Sequence, residues 1–357
     1  MDRMKGSDIV IEGNSLTAAA LAYFLSHHNE NETITLINEE KKEHNISYFT
    51  PGIIMPIFQL HKQYMGKIYE RTIIELKDIH SISGNFDLSN NPLTLLYRGK
   101  EAIKLMQEHR EKLDESTLNY RYLTLEDIIN YYPFFNTEKE LHITEIYNSY
   151  SCSNISDLVF TFQKLAKEND VEIINEPNSI NFDQEKECFK TRDSEYAGKK
   201  LNILTSASLI PNLATDEKRI MKVITPVLEK FPKISMFDKK TDTMMWLEEA
   251  GYLHIHRMFN QVSENECLDR IKVDFEDTLP LLGSLQIADS LSANLKTNFQ
   301  LEKSIGKMNG FRTIYFSLPL RYELSMIPAI AIGFSRLVEN KKYLINKMTI
   351  EELVKDI

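Results

Sequence analysis

Apolar positions along this chain fall in short runs whose spacing switches between strand-like and helix-like. Ile9, Val10 and Ile11 form a β-branched run, the pattern of a parallel strand buried on both faces. The Ala-rich residues 17–25 carry no polar stripe and predict a helix packed against that strand. Residues 33–37 then predict a second strand. Helical spacing recurs over residues 64–82 and 99–114, and again after Thr124, whose cap signal pairs with Asp127 and whose helix Pro133 stops. Ser156 is the expected cap of a helix facing inward through Leu158, Phe162, Leu165 and Ala166. Strands are predicted at 171–174, 179–182, 188–191 and 201–204. Residues 221–283 look mostly extended, with runs at 223–224, 244–247, 252–258 and 270–275 that predict an antiparallel sheet. A strand near 313–316 and a helix over 329–339 close the pattern, with no internal repeat.

The opening β-α-β order gives the first chemical signal. Matched to G-x-G-x-x-G/A, the chain supplies Gly13, Ser15 and Ala18, with Asn14 between, and acidic or amide residues Asn38 and Glu39 follow about 25 positions later. Gly13 can make the tight turn out of the strand. The second position normally lets backbone N–H groups approach a pyrophosphate at the helix N-terminus, and Ser15 puts a side chain into that gap. Ala18 suits close helix–strand packing. Asn38, or Glu39 one residue later, would hold a ribose hydroxyl. A dinucleotide site and a plain structural βαβ unit both fit this segment.

Composition narrows the class. The 357 residues suit two domains, with 42% hydrophobic and 26% charged positions. A net charge of −10 argues against nucleic acid or an anionic membrane surface as partner. Three cysteines (Cys152, Cys188, Cys267), scattered and without C-x-x-C, fit a reducing compartment and a cytoplasmic location. Residues 1–6 run straight into the first strand, which leaves no room for a signal peptide, and no apolar run reaches the ~18 residues of a membrane span. The 12 glycines are few for a protein whose backbone must touch a nucleotide.

Four segments together resemble the FAD-dependent D-amino-acid oxidase, glycine oxidase and sarcosine oxidase family over nearly the whole chain. They are the fingerprint with its second strand; residues 47–56, similar to the family's S-x-x-x-x-G-x-x-x-P loop through Ser47 and Gly52; the helix–strand unit 156–174 followed by residues 204–208; and residues 277–283, similar to a D-x-x-P-x-I-G segment after the substrate-domain sheet. Residues 252–257 resemble a Y-L-x-P-R strand, with His256 in place of proline. The resemblance implies an α/β fold: a Rossmann-like FAD/NAD(P)-binding domain with a second antiparallel-sheet substrate domain. The first would comprise residues 1–80, 150–215 and 300–357, the second 81–149 and 216–299. It implies FAD as cofactor and a small amino or hydroxy acid as substrate; a homo- or hetero-oligomer is compatible with the sequence, which does not give the oligomeric state. Departures lie along the expected cofactor path: Ser15, Ser206, Leu318, Leu320 and Glu323 all add bulk where glycine is usual. They point either to a displaced cofactor or to a non-catalytic relative working as a subunit or binding module. A flavoprotein monooxygenase or reductase is a third class, against which residues 277–283 speak.

On this register the cofactor-contacting residues are Gly13, Asn14, Ser15, Ala18, Asn38, Glu39, Ser47, Gly52 and Ser206. Arg257, Lys272 and Arg321 are the cations that could anchor a substrate carboxylate, each equally readable as a surface or structural charge. His254 and His256 share a strand face with Tyr252. With Glu248 they could hold a metal, but a hydrogen-bonded pair is the plainer reading, and no metal site is assigned. Asp277 reads as a turn-fixing side chain, and Trp246, Met244 and Met245 read as core.

Overall fold

Ile9, Val10 and Ile11 are fully buried, as a strand covered on both faces requires; at about 1.5–3 kcal/mol per large side chain this run anchors the first layer. The computed structural model describes residues 4–39, 49–137, 140–177, 179–210, 216–226, 233–248, 250–260, 262–283, 286–297, 305–308, 311, 313–317 and 322–339. The chain opens with β1 (Met4–Glu12), α1 (Leu16–His28) and β2 (Ile34–Glu39), then α2 (Lys62–Ser83) and β3 (Ser89–Asn90). Next come β4 (Leu93–Arg98), α3 (Ala102–Asp114), β5 (Tyr120–Tyr122), α4 (Leu125–Tyr131), β6 (Leu141–Ile146) and β7 (Tyr150–Ser151). Then follow α5 (Ile155–Glu168), β8 (Glu172–Glu176), β9 (Asn181–Asp183), β10 (Cys188–Lys190) and β11 (Glu195–Leu204). The last stretch holds β12 (Asp216–Ile224), β13 (Ser235–Asp238), β14 (Thr243–Leu247), β15 (Leu253–Phe259), α6 (Glu264–Glu276), α7 (Pro280–Gly283) and β16 (Asp289–Thr297). It ends with β17 (Ile305–Lys307), β18 (Ile314–Ser317) and α8 (Glu323–Glu339).

Two large sheets result. The first runs β17-β18-β11-β1-β2-β8, parallel from β18 to β8, with β10 and β9 added beside β11. The second runs β16-β12-β15-β14-β13-β4-β6-β5, antiparallel throughout except the β4–β13 pair. This is an α/β fold with a Rossmann-like sheet and a second, largely antiparallel one. Helix α1 is buried on every side from Leu16 to Ser26, between α5 and α8, because Ala18, Ala19, Ala20 and Ala22 let its neighbours come close. One core joins the layers: Ile9, Leu16 and Phe24 share it with Phe237, Met244 and Trp246 of the second sheet. The sheet's opposite face, through Met221, Val223, Met245 and Ile255, packs on Ile271 and Phe275 of α6.

Several expectations shift. Residues 270–275 lie in α6: Ile271 and Phe275 are four apart, on one buried helical face, whereas Val273 between them is exposed. The segment 277–283 precedes the edge strand β16 instead of following the sheet; Asp277 is the C-cap of α6. Asn154, not Ser156, caps α5, its side chain accepting from the Ser156 N–H at 3.1 Å. The closing helix begins at Glu323, earlier than its apolar stretch suggested. Thr124 and Asp127 form the expected capping box.

Candidate functional site

The turn from β1 into α1 brings Gly13, Asn14, Ser15 and Ala18 together. Gly13 has φ +126°, and a Cβ there would stand 1.9 Å from Thr205 Oγ1, so only glycine fits. Asn14 donates its side-chain amide to the Glu39 carbonyl at 2.7 Å, tying the turn to the end of β2. Ser15 is the N-cap, its hydroxyl accepting from the Ala18 N–H at 3.2 Å. The next donor, the Thr17 N–H, goes to the Glu323 carboxylate at 2.9 Å. The hydroxyls of Thr17 and, at 2.8 Å, Thr50 donate to the same carboxylate. Glu323 is fully buried and has no ion-pair partner among the described residues.

A second buried carboxylate lies at the end of β1. Glu12, the last residue of β1, accepts the N–H groups of Thr205 and Ser206, each at 3.1 Å, and the Ser206 hydroxyl; Thr205 Oγ1 returns a bond to the Glu12 carbonyl at 2.7 Å. Burial pushes both carboxyls above the usual range, while their hydrogen bonds pull the other way. Asn38 donates to Asn175 across the sheet at 3.0 Å, and Glu39 ends β2 beside the turn. Gly52 is held by a close approach to the Cys152 backbone, whose N–H it accepts at 2.6 Å; a Cβ would lie 1.9 Å from the Cys152 carbonyl. Ser47 and Arg321, with residues 318–320, lie outside the described residues.

The face of the second sheet turned toward this region carries a different chemistry. Lys222, His256 and Met244 are cross-strand neighbours, as are Ile224, His254 and Trp246. Lys222 is 9% exposed, makes no salt bridge among the described residues although the Glu248 charge acts on it, and lies 5.9 Å over the Trp246 ring. Burial lowers its pKa. His256 is fully buried, with Phe49 backbone close by but no well-aligned hydrogen bond at either ring nitrogen. Burial, with the Lys222 charge, pushes it down to about 3. The Trp246 indole N–H is likewise buried, without a hydrogen-bond partner among the described residues. His254 donates to or accepts from Glu248 at 2.8 Å and stacks on Trp246; burial outweighs Glu248 and lowers its pKa.

Arg257 and Lys272 do not join this group. Strand alternation points Arg257 to the other face, where it pairs with Asp274 at 2.6 Å. Lys272, on α6, lines a shallow cleft there with Val223, Ile255 and Ile271. Sequence reasoning missed Glu12, Thr17, Thr50 and Lys222. Glu12 had a readable signal: a lone acid ending a β-branched run. Among the described residues no cluster of side chains suited to a metal ion occurs, and no helix is long and apolar enough to cross a membrane.

FAD, the group such a fold implies, can be tested on this geometry. The N–H groups of Thr17, Ala18, Thr205 and Ser206 that could face a diphosphate already meet Glu323, Ser15 and Glu12. The residues present do not fit the group in this arrangement.

No protein-family model and no curated protein matches this sequence. Solved structures do. L-proline dehydrogenase from P. horikoshii matches with a TM-score of 0.81 at 14% identity, over 98% of this chain and 96% of that one. Glycine oxidase from Bacillus cereus ATCC 14579 matches with a TM-score of 0.77 at 13% identity, over 94% and 95%. L-alpha-glycerophosphate oxidase from Mycoplasma pneumoniae, solved with FAD bound, matches with a TM-score of 0.71 at 15% identity, over 94% and 95%.

Proposed function

We propose, from the premise that this chain has the fold of FAD-dependent oxidoreductases, that it binds a small carboxylate-bearing molecule between its two sheets. The observation that carries this is the buried Lys222, which among the described residues makes no salt bridge and feels only the more distant Glu248 as an opposite charge, beside His256 and the Trp246 indole N–H, which have no well-aligned hydrogen bond among those residues. A buried cation and open donors are costly unless something anionic satisfies them. A carboxylate matches all three. Lys222 would hold its charge, while an imidazole N–H and the indole N–H would fix its orientation.

The neighbours' names suggest the ligand class and the chemistry: proline, glycine and iminodiacetate are amino or imino acids, and FAD-dependent oxidation of a small amino or hydroxy acid is the activity such a fold carries. The second reading, a non-catalytic relative acting as a subunit or binding module, is favoured by Glu323 standing on α1. The sheet memberships support a division into a nucleotide-type domain (1–80, 150–215, 300–357) and a cap domain (81–149, 216–299). A cytoplasmic location and self-association are part of the same reading.

Trp246 is the single tryptophan and reports on the site directly. Titration with glycine, proline and iminodiacetate is expected to change its emission saturably with at least one of them. Lys222→Met should weaken that binding roughly 10- to 150-fold, the worth of a hydrogen bond to a charged group. No response to any of the three, or an unchanged affinity in Lys222→Met, overturns the reading.

A further inference from the structure

We infer that Glu323 has taken over the place of the cofactor's diphosphate, so that the nucleotide cradle of this fold is closed from within and the protein takes up no FAD there. The inference deepens the binding-module reading and rests on different atoms from the carboxylate site.

Three observations converge. First, two N–H groups in the first turn of α1 are spent: Ala18 N–H on Ser15, and Thr17 N–H, with its hydroxyl, on Glu323. A helix N-terminus binds an anion through such N–H groups and its dipole, and here the acceptor comes from the first residue of α8, which also places it at the N-terminal end of its own helix. Secondly, the other backbone donors bordering the turn, Thr205 and Ser206, are spent on Glu12. Thirdly, Glu323 is tied to Thr50, so the first helix, the last helix and the loop at 49–56 meet on one carboxyl group. That contact is buried and satisfied on both oxygens. A diphosphate would have to expel it. The glycines that would open the path are absent at the same place: Ser15 and Ser206 both use their hydroxyls in these bonds.

The inference does not depend on the charge of Glu323. Ionised, it accepts all three bonds. Protonated, it keeps two on one oxygen and donates from the other to the Thr50 hydroxyl. Either form fills the space and occupies the N–H.

The test uses the full-length chain purified without added flavin, and then titrated with FAD and separately with inorganic pyrophosphate. The wild type is expected to be colourless and to bind neither. Glu323→Ala should bind pyrophosphate or FAD at least about tenfold more tightly than the wild type, because it returns the Thr17 N–H to solvent. Wild-type protein carrying one FAD per chain overturns the inference, and that readout stands even if Glu323→Ala does not fold. A well-folded Glu323→Ala with no gain also overturns it, since something else then closes the cradle. Glu323→Gln, which keeps the shape and most of the bonds, should stay closed; flavin uptake by it counts against the inference. The Trp246 titration reads the carboxylate site separately, so either idea can fail alone.

Discussion

The Glu323 carboxylate accepts the Thr17 backbone N–H at 2.9 Å across 306 residues of sequence. The last helix thus completes the cap of the first. Its pH dependence follows from burial, which raises the folded-state pKa above the ordinary value of 4.5. A group raised in this way contributes stability that is complete below the unfolded pKa and is lost as pH rises through the folded one. Glu323→Gln has no such loss. Urea denaturation at about pH 4.5 and about pH 7 should show the variant gaining on the wild type at the higher pH; an unchanged difference between the two would contradict this.

Two buried histidines, His256 of β15 and His109 of α3, give a second prediction. His256 is pushed down to about 3 by burial and Lys222, and His109 to about 3 by burial, with Lys239 and Lys112 adding to it. Both imidazoles stay neutral from pH 5 to 8. Of the nine histidine ring signals in an NMR titration, these two should not move in that range. Since the unfolded chain protonates them first, they reduce stability as pH falls below 6.5, opposite in sign to Glu323.

Gly13→Ala and Gly52→Ala separate geometry from cofactor contact. Each Cβ would come within 1.9 Å of another atom, Thr205 Oγ1 or the Cys152 carbonyl, and Gly13 adds a φ of +126°. Overlap in a tight interior costs about 1–3 kcal/mol, and backbone strain of this kind about as much again. Chemical denaturation should register the loss in both variants, larger for Gly13→Ala. A variant as stable as the wild type would show that the turn can relax.

Arg98 and Asp238 form a buried, two-pronged pair, both bonds at 2.9 Å, with the guanidinium also 4.5 Å over Phe275. This clamps the second sheet to α6. Asp238→Ala strands a buried guanidinium and should cost about 3–5 kcal/mol in equilibrium unfolding. A loss under 1 kcal/mol, read as an expected surface-pair value, would refute the clamp.

The βαβ opening was legible because its signals are local: a β-branched run, an Ala-rich helix and a glycine at the turn. The strand–helix confusion at residues 270–275 arose because Ile271, Val273 and Phe275 alternate as a strand would, while only the fold says that Val273 faces solvent. Arg257 and Lys272 were plausible cations by type, yet the face Arg257 takes depends on strand register and the place of Lys272 on its lying in α6, neither of which one sequence carries. Lys222 lacked any local mark; its meaning comes from His256 and Trp246 on neighbouring strands. The bulk at Glu323 was readable, but its meeting with Thr17 was not, because it spans nearly the entire chain.

Phe49 and Thr50 are consecutive, one standing against the His256 imidazole and the other bonded to Glu323. A single peptide unit therefore separates the two halves of this molecule's chemistry. The loop at 49–56 is thereby held at two neighbouring residues, once against the second sheet and once against α8.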